Sequence, residues 1–355
     1  MKHWNKSKKW LVTFLSLFLV ILTVMGAMNI VIDPYCHYHK PLQELQYYFY
    51  NERYLNNGIV KNFDYDAIIT GTSMTQNFKA SQFDELFDVK SVKIPFAGAS
   101  YKEINENLDA AFRYNDNIRV VLRCLDYNRI LDDKDDMRYD SYPYYLYDDK
   151  LLNDISYWLN KDAFIKGTIY TLFYTVTGHA TTTFDEYSNW NSDYTFGKKA
   201  VDETYIRPEK AKKTEQLSKK DREMIKANLK QNVISLAEEH PETEFYLFFS
   251  PYSIYSFDSL NRQGTLEKQL DAEKYALELL LQYDNIHMFS FFGETDLVCD
   301  LDNYKDIAHY SEDVNEQMLN WMAEGYDELT LDNYEAYCKE EREFYLNYNY
   351  DGLFE

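Results

Sequence analysis

Short, mainly apolar runs alternate along the chain with longer stretches in which apolar residues have helical spacing. The short runs, which are typical of strands buried on both faces of a sheet, occupy residues 67–70, 91–95, 119–125, 244–250 and 285–291. The longer stretches lie near residues 80–87, 102–114, 219–240 and 266–283. Strands that alternate with helices predict an α/β fold with a doubly wound, parallel, five-stranded sheet. Its ligand site would lie beyond the carboxyl ends of the strands.

This pattern breaks between residues 131 and 213, a stretch too long for an ordinary connection and rich in tyrosine. Long insertions at the rim of a site commonly form lids or substrate walls, so we expect a Tyr-rich cap here. Its rings could fill a small core or line a substrate site, since tyrosine joins an apolar face to a polar tip. Residues 326–355 form an acidic, Tyr-rich tail in which we expect a surface-packed helix and an extended end.

The amino-terminal region has the composition of a membrane anchor. Residues 10–32 carry no charge, and about 20 apolar residues suffice for a helix to span a bilayer. Lysines crowd residues 1–9, which predicts a cytoplasmic basic end and an outward-facing chain beyond the span. A cleaved signal peptide is the alternative, but this run is longer than a usual signal core and Gly26-Ala27-Met28 is a poor cleavage site. Residues 33–63 would then be a juxtamembrane segment.

Composition narrows the classes of partner. The formal net charge of −22 repels nucleic acid, so a nucleic-acid-binding role is disfavoured. The four cysteines are widely spaced, which leaves room for one disulfide outside the cell and gives no zinc-binding pattern. Cys36, His37 and His39 lie close in sequence but lack further ligands at a recognisable spacing. We therefore expect no metal site there.

Two short motifs carry candidate chemistry. Ser73 follows the first predicted strand in Gly71-Thr72-Ser73, where a strand-to-helix turn presents a hydroxyl to a ligand. Asp306 and His309 form an Asp-x-x-His near the other end, and a histidine held by a carboxylate is the usual base for a serine nucleophile. Each residue also has an ordinary structural interpretation. Ser73 could cap the helix that follows or help hold a phosphate there, and His309 and Asp306 could flank a helix start.

At these residues the chain resembles the SGNH (GDSL-like) hydrolase family, over about residues 64–325 with the cap inserted at 131–213. That family places its serine just after the first strand and its Asp-x-x-His before a late helix. The resemblance implies a flavodoxin-like sheet and a catalytic triad of Ser73, His309 and Asp306. No cofactor is implied.

Two further blocks bear on the oxyanion hole. In the family, the N–H groups of the serine and of a glycine after the second strand bind the oxyanion, which here implies Ser73 and Gly98. The third block departs from the family, because residues 120–128 read VVLRCLDYN where the family has Gly-x-Asn-Asp. Asn128 is the candidate third donor. Asp126 competes with it, since an acid there could hold the loop or bind a cationic substrate.

The resemblance also implies a function. Membrane-anchored, outward-facing members add or remove acyl groups on envelope polysaccharides and teichoic acids, often beside a multi-span membrane acyltransferase. The expectation is therefore an extracytoplasmic serine esterase or O-acyltransferase with a single N-terminal span in the cell membrane. A non-catalytic envelope scaffold or assembly protein of the same fold is the alternative, favoured by the altered third block and the acidic surface. A flavodoxin-like phosphate site would need basic or glycine-rich loops near Gly71, which the sequence lacks.

Overall fold

A five-stranded parallel sheet organises the chain. The computed structural model describes residues 6–139, 142–148 and 150–354. Its strands are β1 Ala67–Thr70, β2 Ser91–Lys93, β3 Val120–Cys124, β4 Glu244–Phe249 and β5 Ile286–Ser290, in the order β2-β1-β3-β4-β5. Ile68 of β1 pairs with Val92 on one side and Val121 on the other. The predicted α/β class with a parallel five-stranded sheet is confirmed.

The helices connect and flank the strands. In chain order they are α1 Lys6–Ile32, α2 Glu52–Asn62, α3 Ala80–Phe87, α4 Tyr101–Tyr114, α5 Ile155–Trp158, α6 Tyr170–Thr177, α7 Lys198–Thr204, α8 Lys219–Leu229, α9 Ser235–Glu239, α10 Ile254–Gln263, α11 Leu266–Leu280, α12 Thr295–Cys299, α13 Glu312–Glu324 and α14 Tyr334–Asn347. Two π-helical segments, Ala163–Ile169 and Lys230–Ile234, precede α6 and join α8 to α9. The helix predicted at 219–240 is thus a helix interrupted by a π-helical segment, and α2 and α10 were not predicted.

Strands β1, β2 and β3 are buried on both faces, which explains why β1 and β3 consist mainly of apolar residues. Every residue of β1, β2 and β3 is buried, including Arg123, whose guanidinium donates to the carbonyl of Tyr101 at 3.2 Å. The strand order reverses between β1 and β3. In doubly wound sheets the ligand crevice lies at this reversal, beyond the carboxyl ends of the strands.

The described residues fall into two compact units. An N-terminal unit contains the described residues within 6–63 and 142–183, and a sheet unit contains residues 64–139 and 184–354. The predicted cap of 131–213 is therefore shared: its middle packs in the N-terminal unit and its two ends in the sheet unit. Of its tyrosines, Tyr142, Tyr157 and Tyr187 are buried, whereas Tyr194 is exposed.

Helix α1 is long and apolar enough to cross a membrane, with 27 residues and a length of about 40 Å. Its last turns pack within the N-terminal unit. Asn29 is fully buried there, and its amide donates to the carbonyl of Trp158 at 3.0 Å. Its side-chain oxygen accepts a hydrogen bond from the Thr168 hydroxyl at 2.8 Å. These bonds fix the end of α1 against residues 158–168.

The C-terminal tail packs into the sheet unit through α14. The rings of Tyr345 and Phe257 stack with centroids 3.7 Å apart, and Tyr345 is fully buried. Glu341 of α14 is buried beside Glu273 of α11, whose carboxylate accepts from the Ser290 hydroxyl at 2.7 Å. Burial raises the pKa of Glu273 to about 7 and raises that of Glu341 well above its ordinary value. The tail predicted as surface-packed thus contributes one carboxyl of a buried pair.

Candidate active site

The turn after β1 positions Ser73. Gly71 has a φ of +148°, and a Cβ there would lie 2.7 Å from Thr75 Cγ2 and 2.8 Å from Cys124 Cβ. Any larger residue would collide with these atoms, so the tight turn requires glycine. The chain then enters a short 3₁₀ helix, Ser73–Thr75, that begins at the predicted nucleophile. The hydroxyl therefore lies at the carboxyl end of β1, beside the sheet's order reversal.

A second loop, just before α13, positions His309. An antiparallel bridge between the buried residues Tyr304 and Tyr310 closes this loop. Within it, Asp306 Oδ1 accepts hydrogen bonds from the backbone N–H groups of Ala308 and His309, both at 2.9 Å. The Asp-x-x-His spacing thus produces a turn in which the carboxylate caps the backbone and faces the imidazole.

The structure brings the three predicted triad residues together. Ser73 Oγ lies 2.8 Å from His309 Nε2, and His309 Nδ1 lies 2.9 Å from Asp306 Oδ2. The carboxylate favours a proton on Nδ1, which leaves Nε2 free to accept the serine proton. Burial alone would raise the pKa of Asp306, but the hydrogen bonds and charge of His309 outweigh it and hold that pKa well below its ordinary value. The geometry is that of a nucleophile, a base and an orienting acid, while the catalytic roles stay predictions.

Hydrogen bonds tie the two loops to each other. The carbonyl of Met74, the residue after Ser73, accepts from the Asn315 amide at 3.2 Å and faces the Tyr310 hydroxyl at 3.5 Å. Tyr310 also lies 3.1 Å from Ser250 Oγ, which follows β4. Because Asn315 belongs to α13, these contacts couple the position of Ser73 to the helix that follows the His309 loop.

Lys93 of β2 binds the backbone segment that follows Ser73. Its side chain is fully buried, and its ammonium donates to the carbonyls of Gln76 at 2.6 Å and Phe78 at 3.0 Å. It also reaches the carbonyl of Asp185 at 3.2 Å. One buried cation therefore joins the segment after Ser73 to the segment that carries the cavity wall.

Ser73 and His309 open into a cavity of about 430 Å³. Its lining is polar and aromatic, with Ser73, Gln76, Ser188, Asn189, Trp190, Asp193, Tyr194, Lys305 and His309. Trp190 forms the nearest wall. Its indole N–H donates to the carbonyl of Ser73 at 3.4 Å, and its ring meets the His309 ring edge-on at 5.5 Å. Trp190 thus contacts both predicted catalytic loops.

Lys305 places a positive charge in this cavity. Its ammonium lies 3.2 Å from Asp306 Oδ2 and sits over the rings of Tyr194, at 3.9 Å, and Trp190, at 4.8 Å. Cation–π contacts of this kind hold a cation against an aromatic wall. Sequence reasoning missed Lys305 and Trp190. The only signal for Lys305 was its position next to Asp306, and Trp190 carried none beyond its place in the cap.

The predicted oxyanion donors are less completely defined. Among the described residues, neither Ser73 nor Gly98 donates its backbone N–H to a carbonyl of a turn or loop. Gly98 is exposed and has a φ of +68°, a conformation that favours glycine. Asn128 is exposed in the 3₁₀ helix Tyr127–Arg129, and neither it nor Gly98 is among the described residues that line the cavity. Their donor roles stay predictions.

Asp126, the alternative to Asn128 in the third block, is buried. Its Oδ1 accepts from the Tyr252 hydroxyl at 2.9 Å. Its Oδ2 has no well-aligned partner among the described residues, although the Thr72 hydroxyl is close enough to lower its pKa. Burial dominates and raises the pKa of Asp126, against the opposing effects of Thr72, Tyr252 and the His309 charge. A carboxyl with a raised pKa can donate as well as accept a hydrogen bond.

Other sequence candidates are placed elsewhere. All four cysteines lie in the described part of the chain and are unpaired. Asp33 accepts the backbone N–H groups of His37 and His39, both at 3.0 Å, so this histidine pair belongs to a turn within the N-terminal unit. Among residues 6–139, 142–148 and 150–354, no three His, Cys, Asp or Glu side chains are grouped to hold a metal ion.

Comparisons with known proteins identify no family for the chain. No protein-family model matches the chain. No curated protein matches it either. A solved structure from Streptococcus pneumonia, provisionally described as a platelet activating factor, is similar at 16% identity and a TM-score of 0.40. The match covers 78% of this chain and 88% of that one.

Proposed function

We propose that the chain is a membrane-anchored serine esterase or O-acyltransferase of the SGNH type that acts on acyl groups of a cell-envelope polysaccharide or teichoic acid. The observation that carries the proposal is the hydrogen-bonded series Ser73 Oγ, His309 and Asp306, open to a cavity. Ser73 and His309 are 236 positions apart in sequence, and their side chains lie within hydrogen-bond distance, as a nucleophile and its base must.

The chemistry proceeds through an acyl-enzyme. Ser73 Oγ attacks the ester carbonyl while His309 Nε2 takes its proton, and a tetrahedral oxyanion forms. The Ser73 N–H, with Gly98 and either Asn128 or a neighbour, would stabilise that oxyanion. Collapse breaks the bond to the alcohol, which receives the proton from His309. Water then releases a free acid, or a second hydroxyl accepts the acyl group, and Ser73 regains its proton.

The cavity supports a sugar-polymer substrate that carries anionic groups. Lys305 covers one face of Tyr194, and the rest of this ring, which is 53% exposed, could contact a sugar ring. Among the described residues that line the cavity, Lys305 is the cation that could contact an anionic group of the polymer, although Asp306 pairs with it and Asp193 lines the same cavity. Teichoic acids and phosphorylated polysaccharides combine hydroxyl-linked acyl groups with such charges.

The location supports the same class of substrate. Helix α1 would span the cell membrane once, with the lysines of residues 1–9 on the cytoplasmic side and the sheet unit outside. An acyltransferase that resolves its acyl-enzyme outside the cell needs an acyl donor from within. A multi-span membrane acyltransferase is the class of partner that would supply it.

The proposal is tested by hydrolysis of a small acetyl ester by the full-length protein. Ser73→Ala and His309→Ala are each expected to lose nearly all activity, and the double variant to lose no more, because triad members act as one unit. Ser192→Ala, an exposed serine beside the same cavity segment, is the matched control and should retain activity. If Ser73→Ala keeps half of the activity in folded protein, the serine mechanism is wrong.

A non-catalytic envelope scaffold is the second candidate. The position of Asn128 favours it. This residue is exposed and is not among the described residues that line the cavity, so the expected third oxyanion donor is not placed beside Ser73. Under this alternative the wild-type protein would bind envelope polymer through the Lys305 cavity without releasing acyl groups. Equal and negligible turnover by wild-type and Ser73→Ala protein, with retained polymer binding, would favour the scaffold.

A further inference from the structure

The helix over residues 163–177 exposes its apolar side. It consists of the π-helical segment Ala163–Ile169 continued by α6. Four side chains form what we call the apolar stripe: Ile165 (45% exposed), Ile169 (41%), Phe173 (53%) and Val176 (86%). Their spacing of four, four and three residues places them on one face of a helix. A helix in water would turn this face inward.

The opposite face of the same helix is small and polar. Ala163, Gly167, Thr168 and Thr171 are all buried within the N-terminal unit. A Cβ on Gly167 would lie 2.5 Å from Pro34 Cβ, so glycine permits close packing there. This is the reverse of a water-soluble helix. It is the arrangement of helices packed in lipid, where small residues and hydrogen bonds hold the contact and apolar residues face outward.

The hydrogen bonds of this packing involve α1 itself. The Thr168 hydroxyl donates to Asn29 Oδ1, and Asn29 is fully buried although it lies in a helix apolar enough to span a membrane. A polar residue inside such a helix needs an internal partner, because lipid provides none. The contact places the segment after residue 158 directly against the outer end of α1.

Residues before the helix extend the apolar surface towards α1. Leu151 is 67% exposed, Leu152 95% and Ile155 53%. A groove of about 440 Å³ joins this region to α1, lined by Leu19, Leu22, Thr23, Gly26, Ala27, Ile30, Ile155, Trp158 and Leu159. The exposed surface of residues 151–176 is therefore continuous with the surface that α1 presents to a bilayer.

We propose that residues 151–177 lie in the outer leaflet of the membrane that α1 spans, as a second contact that does not cross it. The 15 residues from 163 to 177 are about 22 Å long, less than the roughly 30 Å of a bilayer core. Lys166 and Tyr170 are exposed between the stripe residues, and side chains of these types reach the headgroup region from an apolar helix. The occupant of the surface is lipid.

This contact would change the interpretation of the inserted segment. A single span leaves the outward domain free to rotate, whereas two contacts restrict the N-terminal unit to the membrane surface. The middle of the predicted cap would then be a membrane-attachment element, and only its ends belong to the sheet unit.

Site-directed nitroxides on the full-length protein in phosphatidylcholine–phosphatidylglycerol vesicles test this. Ile169→Cys and Phe173→Cys are labelled in a Cys299→Ser background, because the other three cysteines are buried. Glu203→Cys, exposed on α7 of the sheet unit, is the matched control. Both stripe labels should lose accessibility to a water-soluble nickel chelate and gain accessibility to oxygen, while the control stays accessible to the chelate.

Chelate accessibility at Ile169 and Phe173 equal to that of Glu203 would overturn the proposal, since the stripe would then face water in a pure lipid membrane. A disulfide between two chains through Ile169→Cys would also overturn it and assign the stripe to a second copy. Thermal unfolding midpoints equal to wild type confirm that the variants are folded. The test uses no esterase activity, so it stands apart from the proposed catalysis.

Discussion

Replacing Asp306 by asparagine probes the triad atom by atom. Asp306 Oδ1 accepts two backbone N–H groups, so the asparagine carbonyl must take its place. The amide nitrogen then occupies the position of Oδ2, facing Lys305 Nζ and His309 Nδ1, which lie 3.2 and 2.9 Å from that oxygen. The asparagine carbonyl, in the place of Oδ1 at 3.0 Å from His309 Nδ1, can still accept from that nitrogen, but the amide nitrogen can only donate and favours the His309 tautomer with a lone pair at Nδ1 and the proton on Nε2. In that tautomer it cannot accept the proton of Ser73.

The expected loss follows from this tautomer. The corresponding change in a serine protease triad lowers kcat about 10⁴-fold, which is about 5 kcal/mol of transition-state stabilisation. The turn itself should survive, because both backbone hydrogen bonds are kept. Since the pKa of Asp306 is lowered in the folded protein, its carboxylate contributes stability above about pH 4 that is lost as the pH falls through the folded value. Asp306→Asn should remove that acid sensitivity.

The assay is kcat for a small acetyl ester, measured for wild type, Asp306→Asn and Asp302→Asn. Asp302 is exposed in the 3₁₀ helix just before the loop and serves as the matched control, with activity expected near that of wild type. Urea unfolding at pH 7 establishes that both variants are folded. Activity of Asp306→Asn above about a tenth of wild type would refute the orienting role of this carboxylate.

Two further predictions follow from charges in the sheet unit. Lys305→Met should raise KM for a phosphate-bearing acyl polymer more than for a neutral acetyl ester, because the cavity loses its cation; an equal change for both substrates would contradict this. Glu273 and Glu341 have raised pKa values, so their contribution to stability is present at about pH 4 and lost as the pH rises through the folded value near 7. Glu341→Gln should lose less unfolding free energy than wild type between pH 5 and 8, measured with urea, because one of the two buried carboxyls no longer has to ionise. The exposed Glu343→Gln, on the same helix, should show the wild-type loss, and equal losses in both variants would exclude the buried pair as the cause.

The sheet could be predicted because its strands are short and buried on both faces. Ala67–Thr70 and Val120–Cys124 are apolar except for Thr70 and Arg123, and this signal needs no tertiary information. Most residues of the helix Glu52–Asn62 are polar, so its sequence shows no clear apolar face. We missed this helix because its stability depends on packing within the N-terminal unit. The local sequence pattern therefore predicts the buried strands, whereas a polar helix of this kind depends on tertiary contacts that the sequence does not show.

The site was predictable only where motif and position coincide. Ser73 and the Asp306–His309 turn follow from local spacing, and the fold determines that they meet. Trp190 lies 117 residues from Ser73 and reaches it through a loop whose path the sequence does not indicate. Asn128 was chosen by resemblance to a motif that the chain lacks, and the structure leaves its role as a prediction.

The apolar stripe shows a further limit of sequence patterns. Ile165, Ile169 and Phe173 have the periodicity of an ordinary core-facing helix, and hydrophobicity alone does not distinguish an apolar face that points inward from one that points outward. The contacts of Thr168 with Asn29 and of Gly167 with Pro34 make this distinction, because they hold the face with the small residues against the N-terminal unit. Only the packing shows which side remains exposed.

Covalent labelling of Ser73 tests the central claim most directly. A fluorophosphonate reacts with a serine only when a base activates its hydroxyl, so the full-length wild-type protein should gain one adduct, located at Ser73 by peptide mass spectrometry. His309→Ala should remain unlabelled although its Ser73 is intact. Wild-type protein that is folded but unlabelled at Ser73, or labelled equally in His309→Ala, would contradict the account.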